Sequence, residues 1–271
     1  MKKIILTLLT ALLAFGLAGC SSSSDASKDK EVTLGATAGP YTDMVNKAIK
    51  PSLEKKGYKV KVIEFSDYIQ PNMALSKGDL DANLFQHKVY MENFTKEKNL
   101  KLSEVIIVPT APMGLYSEKF KSVKDIKEGS TVAIPNDPVN LARTLLMLED
   151  AKLITIKEGI NELTASEKDV QDNPKKLVFK PLEAAQLPRA VQSADVAAVP
   201  GNFALAAKMD LLDAIQLENM PDTYRNRVVV NTKDVDSAFA KDIKKVVESK
   251  EFEEVIDKEF EGFGKPEWMK K

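Results

Sequence analysis

The sequence predicts an α/β protein whose folded body divides into two lobes, and three observations carry that expectation. Short apolar segments alternate with helical patterns, which implies parallel sheets with helices on both faces. The body that starts at Glu31 is about 240 residues long, enough for two domains of ordinary size. A faint internal echo sets Ala74-Leu-Ser-Lys-Gly-Asp-Leu-Asp-Ala82 against Ala190-Val-Gln-Ser-Ala-Asp-Val-Ala-Ala198 at an offset of 116, each reading helix, tight turn, strand. Its identities are few and such turns also arise by chance, so it is either a structural repeat or a coincidence.

Lys2 and Lys3 precede an almost wholly apolar stretch from Ile4 to Leu17, and Leu17-Ala18-Gly19-Cys20 follows. This reads as a signal peptide, residues 1–19, ending in a lipobox. The apolar stretch is shorter than the roughly 20 residues that span a bilayer. Cys20 is the only cysteine, so no internal disulfide, CxxC pair or thiolate metal cluster can form. Its expected role is lipidation, against the alternative of an ordinary secretory signal with an incidental cysteine. Residues 20–30, rich in serine and without core-forming side chains, read as a lipidated tether. The body is then held at the membrane on its extracytoplasmic face.

Within the body, Val32 to Thr37 reads as a buried strand. Tyr41 to Lys56 reads as a helix, with Pro40 before it and Gly57 after it. Val60 to Phe65 is a strand, Tyr68 to Lys77 a helix ended by Gly78, Asp81 to Leu84 a short strand, and His87 to Lys98 a helix. Further strands are expected at Val105 to Val108, Thr131 to Ile134, Leu177 to Phe179, Val196 to Val199 and Val228 to Val230. Two helices should fill Val235 to Phe260.

The whole chain carries a formal net charge of −1, which becomes −3 once Lys2 and Lys3 are removed with the signal peptide. No basic patch suggests nucleic acid. No G-x-S-x-G, H-E-x-x-H, P-loop or Ca²⁺-loop spacing occurs, and the single histidine has no second histidine or cysteine to complete a metal site. The expectation is a protein without cofactor or metal that is not an enzyme.

Ligands of open α/β sheets bind beyond the carboxyl ends of strands. That rule singles out Phe85-Gln86-His87 and Gly201-Asn202-Phe203, which follow equivalent strands if the echo is a repeat. In Pro135 to Leu148, Asp137 is placed as an N-cap and Pro138 as the first helical residue. Leu141, Leu145 and Leu148 then share one face, and Asn140, Arg143 and Met147 the other. An arginine within two turns of a helix N-terminus offers a bidentate fork for a carboxylate, so Arg143 is assigned to a ligand carboxylate, against the alternative of a solvated surface arginine. His87, with Tyr68 upstream, suggests an apolar slot with a polar handle that suits a thioether. The alternative is a histidine serving as an N-cap or packed in the core.

At these residues the sequence resembles the methionine-binding lipoproteins of ABC importers, the NlpA lipoprotein family, from the lipobox to the C-terminus. The landmarks are Asp67-Tyr-Ile-Gln-Pro-Asn-Met-Ala-Leu-Ser-Lys-Gly-Asp-Leu-Asp-Ala-Asn-Leu-Phe-Gln-His-Lys88, Val132-Ala-Ile-Pro-Asn-Asp-Pro-Val-Asn-Leu-Ala-Arg143 and Leu182-Glu-Ala-Ala-Gln-Leu-Pro-Arg189. The resemblance implies a two-lobed periplasmic-binding-protein-like fold of type II, with the ligand cleft between lobes and the chain crossing twice, near Pro112 to Tyr116 and near Tyr224 to Val230. Lobe 1 would comprise residues 31–113 plus 229–271, and lobe 2 residues 114–228.

Carried over by position, the resemblance implies that Tyr68, Phe85 and His87 line the ligand's side-chain pocket, and that Asn140 and Arg143 hold its polar end. Asn202 and Asn226 would add polar contacts. It also implies methionine as ligand and, as partners, an ABC permease with its cytoplasmic ATPase, the protein itself being a monomer. Glu183, Gln186 and Arg189 match the pattern as either supports or contacts. Two departures, Pro200-Gly201-Asn202 in place of an Ile-Asn-Thr-type run and Ala36-Thr-Ala-Gly-Pro40 in place of a Gly-Val-type opening, leave open a methionine-containing dipeptide or another apolar amino acid. A surface adhesion lipoprotein is the competing class.

Overall fold

The structure is a computed structural model that describes residues 30–270; the signal peptide and Cys20 lie outside the described residues. In chain order the elements begin with β1 (Lys30–Thr37). Next comes α1, a continuous helix formed by Pro40–Met44, a π-helical stretch Val45–Ile49 and Lys50–Lys55, followed by β2 (Tyr58–Phe65). Then come α2 (Gln70–Lys77), β3 (Ala82–His87), α3 (Lys88–Lys98), β4 (Leu102–Ile107), β5 (Gly114–Tyr116) and β6 (Thr131–Pro135). They are followed by α4 (Pro138–Asp150), β7 (Thr155–Ile156), β8 (Val170–Asp172), β9 (Val178–Leu182), α5 (Leu187–Ala190), β10 (Val196–Val199) and α6 (Gly201–Ala206). The chain ends with β11 (Gln216–Leu217), β12 (Asn226–Asn231), α7 (Ala238–Val247) and α8 (Lys250–Glu259).

Two five-stranded sheets, ordered β2-β1-β3-β12-β4 and β11-β5-β10-β6-β9, form the two lobes, and the chain passes between them after β4 and again before β12. Both sheets are mixed, where the alternation of elements predicts parallel ones. β3 runs parallel to β1 but antiparallel to β12, and β10 runs parallel to β6 but antiparallel to β5. The antiparallel members are those next to the crossings: a strand that arrives from the other lobe needs no βαβ crossover and can enter in the opposite direction. The return strand starts at Asn226, opposite His87, so the boundary expected at 229 falls inside β12. Lys30, read as the end of the tether, opens β1.

The internal echo corresponds to a structural equivalence. β3 and β10 are the central strands of their sheets, each between one parallel and one antiparallel neighbour, and each is preceded by a short helix and a turn.

The first lobe closes around Leu34, Ile49, Leu84, Val228 and Val230, with Ile243, Val247, Phe252 and Ile256 of the two C-terminal helices packed on them. In the second lobe Leu141, Leu145 and Leu148 of α4 pack with Val132, Ile134 and Val196, as the helical periodicity predicts. Met147 differs from expectation: it joins that core, while Asn140 and Arg143 turn to the opposite side. The helix is buried almost all round because that opposite side is covered by α3 of the first lobe.

The lobes approach closely at the glycine of each departing segment. Gly39 has φ 86°, and a Cβ there would lie 2.9 Å from the Ala206 Cβ of α6. A Cβ at Gly201 would collide with the Pro112 carbonyl oxygen of the first crossing. A side chain at either position would push the lobes apart.

Candidate functional site

The carboxyl end of β3, the N-termini of α4 and α6 and the start of β12 converge on one cavity between the lobes. Tyr68, Phe85, His87, Asn140, Arg143, Asn202 and Asn226, all singled out from the sequence, line it. So do Tyr41, Tyr90 and Thr110, which were not. Gln186 and Arg189 lie exposed and outside the cavity, as does Glu183, which accepts a hydrogen bond from Asn136 Nδ2 (3.0 Å).

The apolar wall is built by Tyr68, with ring centroids 6.0 Å from Phe85, 5.9 Å from Tyr90 and 5.1 Å from Phe203. Behind it a buried amide network holds β3 to α2. Asn72 Nδ2 donates to Gln86 Oε1 (2.7 Å), Gln86 Nε2 donates to Asn72 Oδ1 (2.6 Å), and Asn83 Nδ2 donates to Asn72 Oδ1 (2.9 Å). Every member has a partner inside the protein, which sets the end of β3 rigidly. This network is the physical content of the long Asp67 to Lys88 landmark.

His87 is both N-cap and cavity residue. Its Nδ1 accepts the Tyr90 backbone N–H (3.2 Å), which places the ring proton on Nε2, and Nε2–H donates to Asn140 Oδ1 (3.1 Å). Burial, then the neighbouring Arg143 guanidinium, holds its pKa well below the ordinary 6.5, so the ring is neutral. The folded state binds this proton less readily than the unfolded chain. His87 therefore contributes stability that is fully present above pH 6.5 and lost as pH falls below it toward the folded-state pKa. Thermal melts should show a loss of up to about 1.4 kcal/mol per pH unit from this residue between pH 6.5 and 5. His87→Gln should flatten that window, and an identical profile in the variant would assign the dependence to another group.

The polar wall centres on Arg143, which is buried and so not the solvated arginine of the alternative reading. Its Nε donates to Glu218 Oε2 (2.7 Å), its Nη2 donates to Glu218 Oε1, and its Nη1 donates to Asn140 Oδ1 (3.4 Å). The Tyr224 ring lies 5.3 Å from the guanidinium carbon and 5.1 Å from the His87 ring. Burial opposes the charge, but the Glu218 carboxylate outweighs it and holds the pKa of Arg143 above its ordinary value. Asp137 caps α4 as expected, accepting the Asn140 backbone N–H (2.9 Å) and bonds from its Nδ2.

Two hydrogen bonds bridge the lobes across the cavity, His87 to Asn140 and Tyr68 OH donating to Asn202 Oδ1 (2.7 Å). The second leaves Asn202 Nδ2 buried without a partner. Asn226 spends Nδ2 on the Phe85 carbonyl (2.9 Å), and its backbone N–H on Thr110 Oγ1 (2.7 Å). Among the described residues no group of histidine, cysteine and carboxylate side chains could hold a metal, and no helix is long and apolar enough to cross a membrane.

Glu218 and Tyr224 escape sequence reasoning because they lie on the second crossing, far along the chain from the motifs they serve. Tyr41 and Thr110 carry no local signal either. Tyr90, three residues after His87 on a helix, was within reach of the i, i+3 rule.

A cavity between two α/β lobes, lined by aromatic rings on one side and by an arginine and amides on the other, defines a two-lobed ligand-binding protein of the periplasmic-binding-protein type. The chain belongs to the NlpA lipoprotein family, whose profile matches residues 32–268. It is 37% identical over 258 residues to the D-methionine-binding lipoprotein MetQ of Salmonella typhi, covering 94% of each chain. To the methionine-binding lipoprotein MetQ of Bacillus subtilis it is 35% identical over 268 residues, 97% of each. A nutrient-binding protein from Burkholderia cenocepacia, solved bound to methionine, matches with a TM-score of 0.81 and 42% identity over 85% of this chain and 97% of that one.

Proposed function

We propose that this protein is the substrate-binding lipoprotein of an ABC importer, that it captures methionine in the interlobe cavity, and that it performs no catalysis. The observation that carries the reading is the pairing, in one interlobe cavity, of a Tyr68, Phe85 and His87 slot with Arg143 and the unpartnered Asn202 Nδ2. A buried donor without a partner is unfavourable by about 1–3 kcal/mol, and a ligand carboxylate relieves it. In this reading Arg143 Nη1 and Asn202 Nδ2 hold the carboxylate, Asn226 Oδ1 accepts from the ammonium group, and the thioether lies among the aromatic rings. The relatives' names support the same ligand.

Cys20 carries the lipid that keeps the body on the extracytoplasmic face of the membrane, and a monomer delivers its ligand to a permease served by a cytoplasmic ATPase. Lobe 1 comprises residues 31–113 and the C-terminal segment, with the second crossing placed ahead of β12; lobe 2 lies between the crossings. The test is mass spectrometry of the small molecule released on denaturing the purified body, followed by melts of stripped, refolded protein with a panel of amino acids. Methionine at 100 times its dissociation constant should add about 2.7 kcal/mol, a rise of about 5–10 °C at this size. No released methionine and no selective shift would sink the proposal.

A further inference from the structure

Of the residues that line the cavity, Arg143 alone is charged, since His87 is neutral and burial keeps Tyr41, Tyr68 and Tyr90 protonated. Its charge is already answered. The Glu218 carboxylate stands on the far side of the guanidinium, itself buried, and occupies the Nε and Nη2 edge. Glu218 is fixed in turn by the first crossing: its Oε1 accepts the Met113 N–H (2.5 Å), and its own N–H donates to the Met113 carbonyl (3.0 Å). One side chain thus ties both interlobe crossings to the arginine on α4.

We infer that Glu218 is a specificity-determining positioning residue, which cancels the charge of Arg143 and turns a single guanidinium edge into the cavity, so that the site accepts a net-neutral zwitterion and rejects a ligand of net charge −1. The inference rests on the amino-acid-binding reading. An arginine without this counter-ion would take its balancing charge from the ligand, and any carboxylate would serve. With Glu218 in place, an anion brings an uncompensated charge among buried side chains, whereas a zwitterion supplies its own balance.

Three probes share the thioether chain: methionine, 4-(methylthio)butanoate, which lacks the amino group, and 3-(methylthio)propylamine, which lacks the carboxylate. Calorimetry on the wild-type protein should show methionine bound at least a hundredfold more tightly than either analogue. Glu218→Gln keeps an acceptor for Met113 N–H and loses the charge. Its ratio of methionine to 4-(methylthio)butanoate affinity should fall at least tenfold, while Glu218→Asp, which keeps the charge, should hold the wild-type ratio. A purely structural role would weaken every probe by the same factor, and that result in Glu218→Gln overturns the assignment. Should Glu218→Gln not fold, the wild-type comparison decides: equal affinity for the anion and the zwitterion overturns it, and a hundredfold preference for the zwitterion upholds it. A wild-type protein that binds none of the three would instead refute the amino-acid reading beneath it.

Discussion

Replacing Arg143 by alanine should abolish methionine binding, with a loss in affinity of at least about a thousandfold, or 4 kcal/mol. The side chain is buried, lines the cavity and is the only cation there. The same substitution strips the buried Glu218 carboxylate of its partner, leaving it the Met113 N–H alone. Breaking a buried pair from one side destabilises by about 3–5 kcal/mol, so the variant should also melt early. The two effects separate in the double variant Arg143→Met, Glu218→Gln, in which neither charge remains. Stability should then recover most of the loss, because a neutral replacement of a buried pair is close to neutral in free energy, while binding stays absent. Calorimetric titration that finds wild-type affinity in either variant would remove Arg143 from the site.

Phe252→Ala should produce the largest loss of stability with no loss of affinity. Phe252 is fully buried where α8 packs into the first-lobe core, among Ile243, Val247 and Ile256. Truncating such a ring costs about 3–5 kcal/mol, part transfer and part cavity, and lowers the melting temperature by about 6–20 °C at this chain length. The ring is no part of the cavity wall, so the folded fraction should bind methionine as the wild type does. Leu212→Ala is the control, since Leu212 is 81% exposed, and it should stay within about 0.5 kcal/mol of wild type. A Phe252→Ala protein as stable as the control would mean that α8 is not integral to the lobe.

Much of the fold was legible because its signals are local. Gly78 closes α2 in the left-handed conformation, Asp137 and Pro138 open α4, and both C-terminal helices lie inside the expected span. Eight of the twelve strands among the described residues are legible in the sequence, most of them drawn short, while Val196 to Val199 matches β10 at both ends. β3 continues through Phe85, Gln86 and His87, because polar residues at a sheet end are satisfied by tertiary partners that a hydropathy pattern does not contain. The short strands β5, β7, β8 and β11 escape the sequence for the same reason: two or three residues carry no periodicity, and pairing, of β5 with β10 and β11 and of β7 with β8, makes them strands.

The sequence by itself determined the order of the elements, the lipobox and the residue types gathered at the site, since caps, periodicity and motif spacing act within a few residues along the chain. Only the tertiary structure decided how those residues divide the work. It paired Arg143 with a glutamate 75 positions away, made His87 a neutral donor to Asn140, and left Asn202 Nδ2 without a partner. It also turned β12 antiparallel to its neighbours. Each of these depends on which segments two interlobe crossings bring face to face, and the energies that select such contacts, desolvation and buried hydrogen bonding, exist only once water has been excluded between them.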